Sequence, residues 1–405
     1  MAHTRDLDNT LELLADPYRF ISTQSAELGA DVFEARILLE NTLCMRGAEA
    51  ARLFYDDSRF TRSNAAPEPV LATLFGKEGV QTLDGAAHHA RKALFLSLLT
   101  PHHIGVMTGL AIRHWDIEAE RGEPGARPLY EYAQRVLGRA ACAWVGLLVS
   151  DEEAESHVGD LVHLFDSAAR GVRPHIRARR SRKRLEEGLC RLIESERNLP
   201  EELQEIGTAL HAIATHRQAD GSRLAPNVAA VELLNLLRPT VAVSVYIVWM
   251  AHALQAYPDL AARLRSDAHY ILPFVQEVRR YYPFFPAVVA RVRKDFEWAG
   301  MKFVRGQRVL LDLYGTNHDG RIWVEPEAFN PDRFLQQTPD EYEFIPQGGG
   351  DAAHGHRCPG EGLTIALMQA LLPRLIAALP AADTPADLSI DDRRLPALPK
   401  RPILI

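Results

Sequence analysis

The sequence predicts a mainly α-helical fold with a minor antiparallel β-sheet. Three observations carry that expectation. From about Leu129 to Gln255 the apolar residues recur at helical spacing, and no run of alternating strands interrupts them. Alternation is confined to short stretches, Val32 to Met45 and Phe296 to Leu313. No segment rich in Gly, Ser or Pro divides the 405 residues, so 1–405 are expected to form one domain.

Taken in chain order, Asp8 to Leu14 sets Asp and Thr ahead of leucines at helical spacing, a short capped helix. Val32 to Met45 reads as two strands around a polar turn. After Gly47, AEAARLFYD is helical, and Ala86 to Leu99 places His88, Arg91, Lys92 and Phe95 three and four residues apart ahead of Pro101. Asn227 to Gln255 is apolar nearly all round, which predicts a helix through the centre of the molecule. Pro239 should kink it, because proline removes a backbone donor and crowds the preceding turn. Phe296 to Leu313 alternates around Ala299-Gly300 and Arg305-Gly306, as small antiparallel strands do. An irregular proline-rich stretch follows to about Pro346, then a glycine cluster, then a last helix from Pro359 to Leu379 with Pro359 at its first position.

Composition narrows the function. With 47% hydrophobic and 24% charged residues, disorder is excluded as the main state. A net charge of −7 gives no global basis for binding nucleic acid. The four cysteines, Cys44, Cys142, Cys190 and Cys358, have no paired spacing for a zinc site or disulfide framework, which suits a reducing compartment. The opening MAHTRDLDNTLELL lacks the pattern of a secretory signal. The most apolar stretch, Val241 to Ala251, is about half the length that spans a bilayer. A soluble, cytoplasmic protein without stable membrane insertion is expected. One run departs from the acidic balance: Arg173 to Arg184, RPHIRARRSRKR, holds seven Arg/Lys in twelve residues. Acidic flanks at Asp151 to Glu155 and from Glu186 favour a solvated helix face there over a nucleic-acid or membrane role.

Cys358 is the centre of the chemistry. It lies in QGGGDAAHGHRCPGEGLTIALM, a glycine-rich loop running into an apolar helix. A sulfur ahead of a helix N-terminus, with His356 and Arg357 beside it, is expected to favour the thiolate, which suits a nucleophile or a ligand to a soft metal centre. An inert buried cysteine fits the loop as well. Upstream, Glu277 and Arg280 share a helix face, and WVEPEAFNPDRF sets two prolines and three aromatics around Arg333.

In this order, these segments resemble the haem-thiolate cytochrome P-450 superfamily. Its E-x-x-R helix, Arg-bearing meander and C-x-G ligand loop match Glu277/Arg280, Arg333 and Cys358/Gly360. The resemblance implies haem b with Cys358 as the axial iron ligand, and a structural ion-pair cluster of Glu277, Arg280 and Arg333. Two departures stand out. Asp351 and His354 replace the usual Phe and Gly of the ligand loop, the nearest upstream aromatic being Phe344, so GGGDAAHG reads as an insertion. The acid–alcohol pair that normally relays protons to bound dioxygen is replaced by Leu236-Leu237-Arg238-Pro239-Thr240, with Glu232 nearly two turns away.

Those departures resemble a smaller family, the peroxide-dependent fatty-acid peroxygenases, as do RRYYPFFPAVVAR from Arg279 to Arg291 and GVQTLDGAAHHARK near residue 80. The resemblance implies hydrogen-peroxide-dependent hydroxylation of long-chain fatty acids near the carboxylate, the α carbon favoured over β, without an obligatory redox partner. Arg238, beside Pro239, would bind the substrate carboxylate as a guanidinium fork, since a cation in an apolar helix needs an anion. That carboxylate would then serve as the missing acid–base group. Gln81 stands where alkene-forming members resemble a His, and so points to hydroxylation. Phe75, Phe284, Phe285 and Pro286 are candidate walls for the acyl chain, and equally good as ordinary core. His88 and Lys92 resemble the haem-propionate pair, with Arg62, Tyr55, His356 and Arg357 as further candidates. An Arg the family often carries near residue 290 is here Ala290, with Arg291 adjacent. The alternatives are a dioxygen-dependent monooxygenase with an external redox partner, or a haem-binding sensor without turnover.

Overall fold

The longest apolar segment forms the centre of the molecule. The computed structural model describes residues 2–4, 8–121, 127–147, 150–167, 171–204, 207–380 and 387–405. Helix Pro226–Ala242 is continued by Ser244–Ala256, and nearly every residue of both is buried. It is apolar all round because helices surround it: Leu129–Val145, Asp151–Asp166 and Val172–Asn198 pack against its first half, and Leu129–Val145 and Glu361–Ala378 against its second. The break is not at Pro239. The helix runs through it and interrupts one turn later at Val243, whose N–H bonds Thr240 O at 3.3 Å in a tightened turn. The four-residue ladder loses its donor at the proline, and the distortion is released on the C-terminal side.

Two described helices are long and apolar enough to cross a membrane, which corrects the expectation drawn from Val241 to Ala251. Pro226–Ala256 runs 31 residues with mean hydropathy 1.5, and 94% of that apolar window is buried inside the protein. Glu361–Ala378 reaches 1.3 with 44% buried. The first therefore meets protein rather than solvent on nearly all sides.

Among the described residues the main sheet has five strands in the order β1-β2-β7-β4-β3: β1 Val32–Ile37, β2 Glu40–Met45, β3 Phe60–Thr61, β4 Ala287–Val292 and β7 Arg308–Asp312. A separate hairpin pairs β5 Phe296–Trp298 with β6 Met301–Phe303. The sheet is mixed, not wholly antiparallel, because β2 and β7 pair in parallel. The β1–β2 turn is also not polar: it is Leu38-Leu39, both exposed and at φ 52° and 61°. That left-handed geometry closes a tight antiparallel hairpin, so the register Ile37↔Glu40 fixes the turn residues irrespective of polarity.

Behind the ligand loop, Glu277 and Arg280 of helix Ile271–Tyr281 are fully buried and paired through two bonds, 2.7 and 2.8 Å. Arg333 joins the same carboxylate at 3.2 Å, and Asn330 N–H donates to it at 2.8 Å. Arg280 also donates to the carbonyls of Asn317 and Pro326, both at 2.9 Å, and Arg333 to that of Val324 at 2.9 Å. Two guanidiniums thus organise backbone with no regular ladder of its own, as the E-x-x-R pattern predicts. Glu277→Ala removes the one anion between two buried cations. We expect it to destabilise the protein by about 3–5 kcal/mol in urea unfolding; a change below about 1 kcal/mol would mean the cluster is not holding the meander.

Candidate active site

The ligand loop is held in shape from several sides. Cys358 N–H donates to Gln347 O at 3.1 Å, and Gly348, at φ 91°, lets the loop pass Tyr55, whose hydroxyl lies 2.8 Å from where a Cβ would stand. Arg279 donates to Gln347 Oε1 at 3.0 Å, which fixes that amide so that its NH2 faces the Cys358 sulfur, 3.7 Å away. Glu361 receives Arg357 at 2.6 Å and also pairs with Arg279. Helix Glu361–Ala378 begins at Glu361, so Pro359 is not its first residue; Cys358-Pro359-Gly360 form a turn ahead of it, with Glu361 N–H reaching Cys358 O at 3.4 Å.

Cys358 is half-buried, and desolvation pushes its thiol up despite the opposing Gly360 N–H and Lys92 ammonium. This corrects the expectation that its surroundings alone favour the thiolate: the helix end and nearby cations are outweighed by burial. A thiolate here calls for a directly bonded cation, which a haem iron supplies.

Around the loop the structure gathers the predicted donor groups. His88 stacks on His356 at 4.0 Å, and burial lowers both imidazoles, His88 to about 4. Arg62 is buried over Phe54 and Tyr55, at 4.3 and 5.6 Å from the ring centres. Lys92 is buried, its pKa lowered to about 8 by desolvation, and it donates to Gly355 O at 2.6 Å and Arg357 O at 2.5 Å. It therefore straps the loop and keeps a third N–H. Arg291 is turned away, bonded to Glu40 at 2.6 Å across the sheet.

Arg238 faces this assembly from the central helix. It is 6% exposed, feels the charge of Cys358, and desolvation with the like charge of Arg182 lowers its pKa to about 9. No carboxylate pairs with it among the described residues. Its NH2 reaches Asn235 Oδ1 at 3.5 Å, and its Nε has no partner. Pro239 is exposed although its neighbours from Val228 to Ala242 are buried. Open space therefore lies against the helix at that point. Together with half-buried Cys358 and the cationic rim, it fits a flat, iron-bearing group with anionic edges.

Gln81 joins through Asn235, which the sequence reading missed. Asn235 Nδ2 donates to Gln81 Oε1 at 3.1 Å and to Glu232 Oε2 at 2.9 Å, so its oxygen is left for Arg238. Glu232 is fully buried and pairs with Arg91, which leaves it no part in meeting Arg238. Glu232, Asn235 and Arg238 stand three residues apart in an otherwise apolar helix, and that spacing is the signal that was available.

The acyl-wall candidates are spread. Phe284 packs on Tyr246 at 4.7 Å and on Phe285 at 4.6 Å, while Phe285 is 39% exposed. Pro286 O accepts the Leu313 and Tyr314 N–H groups. Half-buried Phe75 ends a π-helical turn, Leu71–Phe75. Arg182 grips that turn by donating to Thr73 O at 2.9 Å and Leu74 O at 3.3 Å. Arg182 is thus buried and bonded, unlike the solvated face expected of its run.

The Cytochrome P450 family model matches residues 250–387. Among curated proteins, methyltetrahydroprotoberberine 14-monooxygenase of Papaver somniferum is 35% identical over 116 residues, 26% of this chain and 21% of that protein. Cytochrome P450 3A15 of Cavia porcellus is 25% identical over 178 residues, 38% of this chain and 34% of its own. The match thus spans about a fifth to a third of the length of these curated relatives. Solved structures match far more completely. Cytochrome P450SP alpha (CYP152B1) in complex with (R)-ibuprophen superposes with TM-score 0.93 at 46% identity over 98% of this chain and 97% of that one. Cytochrome P450EX alpha (CYP152N1) with myristic acid gives 0.92 at 40% identity, over 99% and 97%. Cytochrome P450 OleT, ligand-free, gives 0.91 at 29% identity, over 99% and 96%.

The unmet guanidinium has a measurable consequence. Its folded pKa of about 9 lies well below the ordinary guanidinium value, so carrying the charge costs stability at every pH below about 9. The cost fades as pH rises from there toward the ordinary guanidinium value. Arg238→Leu is therefore expected to stabilise the ligand-free protein at neutral pH, by about 1–4 kcal/mol in chemical denaturation, with a smaller gain above pH 9. A loss of stability would reveal an internal anion paired with Arg238.

Proposed function

The chain belongs to the cytochrome P450 superfamily, in its fatty-acid peroxygenase branch, and on that premise we propose that it hydroxylates long-chain fatty acids next to the carboxylate with hydrogen peroxide, α before β. Its cofactor is a cysteine-ligated haem. The observation that carries the reading is Arg238: a buried cation within electrostatic reach of Cys358, without a carboxylate partner among the described residues.

A haem held through Cys358 would supply the iron chemistry that splits peroxide and oxidises a C–H bond. Gln347 and the Gly360 N–H donate toward the sulfur and steady its charge. Arg62, His88 and His356 offer donors at the loop's rim for the haem carboxylates, and Lys92 secures the loop backbone next to them.

Arg238 binds the substrate carboxylate through its free guanidinium edge, with Asn235 holding the other edge. A carboxylate oxygen held there accepts the proton from one peroxide oxygen and returns it to the departing one, so water leaves. The same anchoring brings the first carbons of the chain to the point of oxidation, and position selectivity follows from geometry. Gln81 has its oxygen engaged by Asn235, which leaves its amide only N–H donors and no basic atom to offer. That suits hydroxylation, with the carbon–carboxylate bond retained. The central helix offers no acid of its own beside Arg238, since Glu232 is committed to Arg91 and Asn235, and this weighs against a dioxygen-dependent proton relay.

Arg238→Ala should cost about 3–5 kcal/mol in kcat/KM with fatty acid. The wild-type enzyme should be inert toward neutral substrates until a short carboxylic acid is added, and Ala242→Glu, one turn along the helix, should partly replace that acid. Equal oxidation of a neutral substrate with and without added short acid would refute substrate-assisted activation.

A further inference from the structure

The basic helix Val172–Asn198 carries a charged face that the peroxygenase reading leaves unused. Arg173, Arg177, Arg180 and Arg184 follow at spacings of four, three and four, which puts all four on one stripe of the helix. They line an open groove of about 370 Å³ together with Ile176. All four are exposed. Arg184 is held by Asp160 at 3.0 Å, whereas Arg173, Arg177 and Arg180 have no acidic partner among the described residues. Nearby acids are engaged elsewhere: Glu68 by Arg179, Glu187 by Lys183, and Asp160 by Ser181 and Arg184. Beside the stripe stand Val172 and Ile176, 75% and 44% exposed, one turn apart.

This arrangement is costly for the isolated protein. Arginines in the first turns of a helix oppose the positive end of its dipole, and three of them crowd together without compensation. Two exposed apolar side chains add to the cost. An anionic, partly apolar surface relieves each of these terms at once: phosphates meet the guanidiniums, and the interfacial zone takes the apolar pair. The opposite side of the same helix reaches the proposed substrate site, where buried Arg182 holds the turn that ends in Phe75.

We infer that this face docks the enzyme reversibly on an anionic phospholipid surface, the compartment into which long-chain fatty acids partition. The docking rests on the arginine stripe alone, so it is tested without turnover. The haem-loaded enzyme is sedimented with phosphatidylcholine vesicles and with vesicles containing phosphatidylglycerol, at low and high salt. Binding is expected to the anionic vesicles only, and to vanish at high salt. A variant carrying Arg173→Glu, Arg177→Glu and Arg180→Glu should bind them roughly a hundredfold more weakly, while oxidising dispersed fatty acid as the parent does. Single Arg→Gln variants give graded losses if the triple variant folds poorly. Equal binding to both vesicle types, undiminished binding of the variants, or capture by soluble heparin with no vesicle binding would each overturn the inference. Loss of fatty-acid oxidation with vesicle binding intact would instead count against the peroxygenase reading.

Discussion

A positive charge in the middle of an apolar helix constrains this structure more than any other single feature. Arg238 is surrounded by buried aliphatic side chains on the molecule's central helix, and the described chain brings no carboxylate to it. Such a charge persists only where an anion is expected to arrive. Its neighbours are arranged as if to keep it available. Glu232, the one acid in the same helix, is neutralised by Arg91, and Asn235 uses both amide hydrogens on Glu232 and Gln81, so only its oxygen is offered to Arg238. The result is a guanidinium steadied at one edge and free at the other.

The opposing half of the site is built by a different device. Where the central helix leaves a charge unmet, the ligand loop is over-determined. Arg279 orients Gln347, Glu361 gathers Arg279 and Arg357, Lys92 closes on two loop carbonyls, and Gly348 makes room for Tyr55. Beneath it, the buried Glu277, Arg280 and Arg333 cluster ties the supporting helix to the meander. Rigid placement of the sulfur and a single open cation opposite are complementary: one fixes the metal-bearing group, the other fixes the substrate relative to it.

Much of this was legible in the chain because it lies in short strings. The loop around Cys358, the Glu277/Arg280 pair and the Arg238-Pro239 step in an apolar run each announce themselves within a few residues. What was not legible depends on distant partners. Nothing local says that Lys92 will bond Gly355 and Arg357, that β2 will run parallel to β7, or that Arg182 will leave its basic run to hold the turn at Phe75. Burial was the other blind spot. The surroundings of Cys358 looked favourable to a thiolate, yet desolvation outweighs them, and that balance appears only once the loop is packed. Asn235 shows the intermediate case, visible as a three-residue polar spacing but meaningful only through its contacts.

The central claim is that the substrate's own carboxylate, held by Arg238, lets this protein use peroxide directly. The most direct measurement is to incubate the haem-loaded enzyme with a saturated long-chain fatty acid and heavy-oxygen-labelled hydrogen peroxide, without reductase, and to analyse the product by mass spectrometry. The account predicts a hydroxy acid substituted next to the carboxylate, its new hydroxyl carrying the label from peroxide. Product that forms only with dioxygen and an electron donor, its hydroxyl drawn from dioxygen, would contradict it.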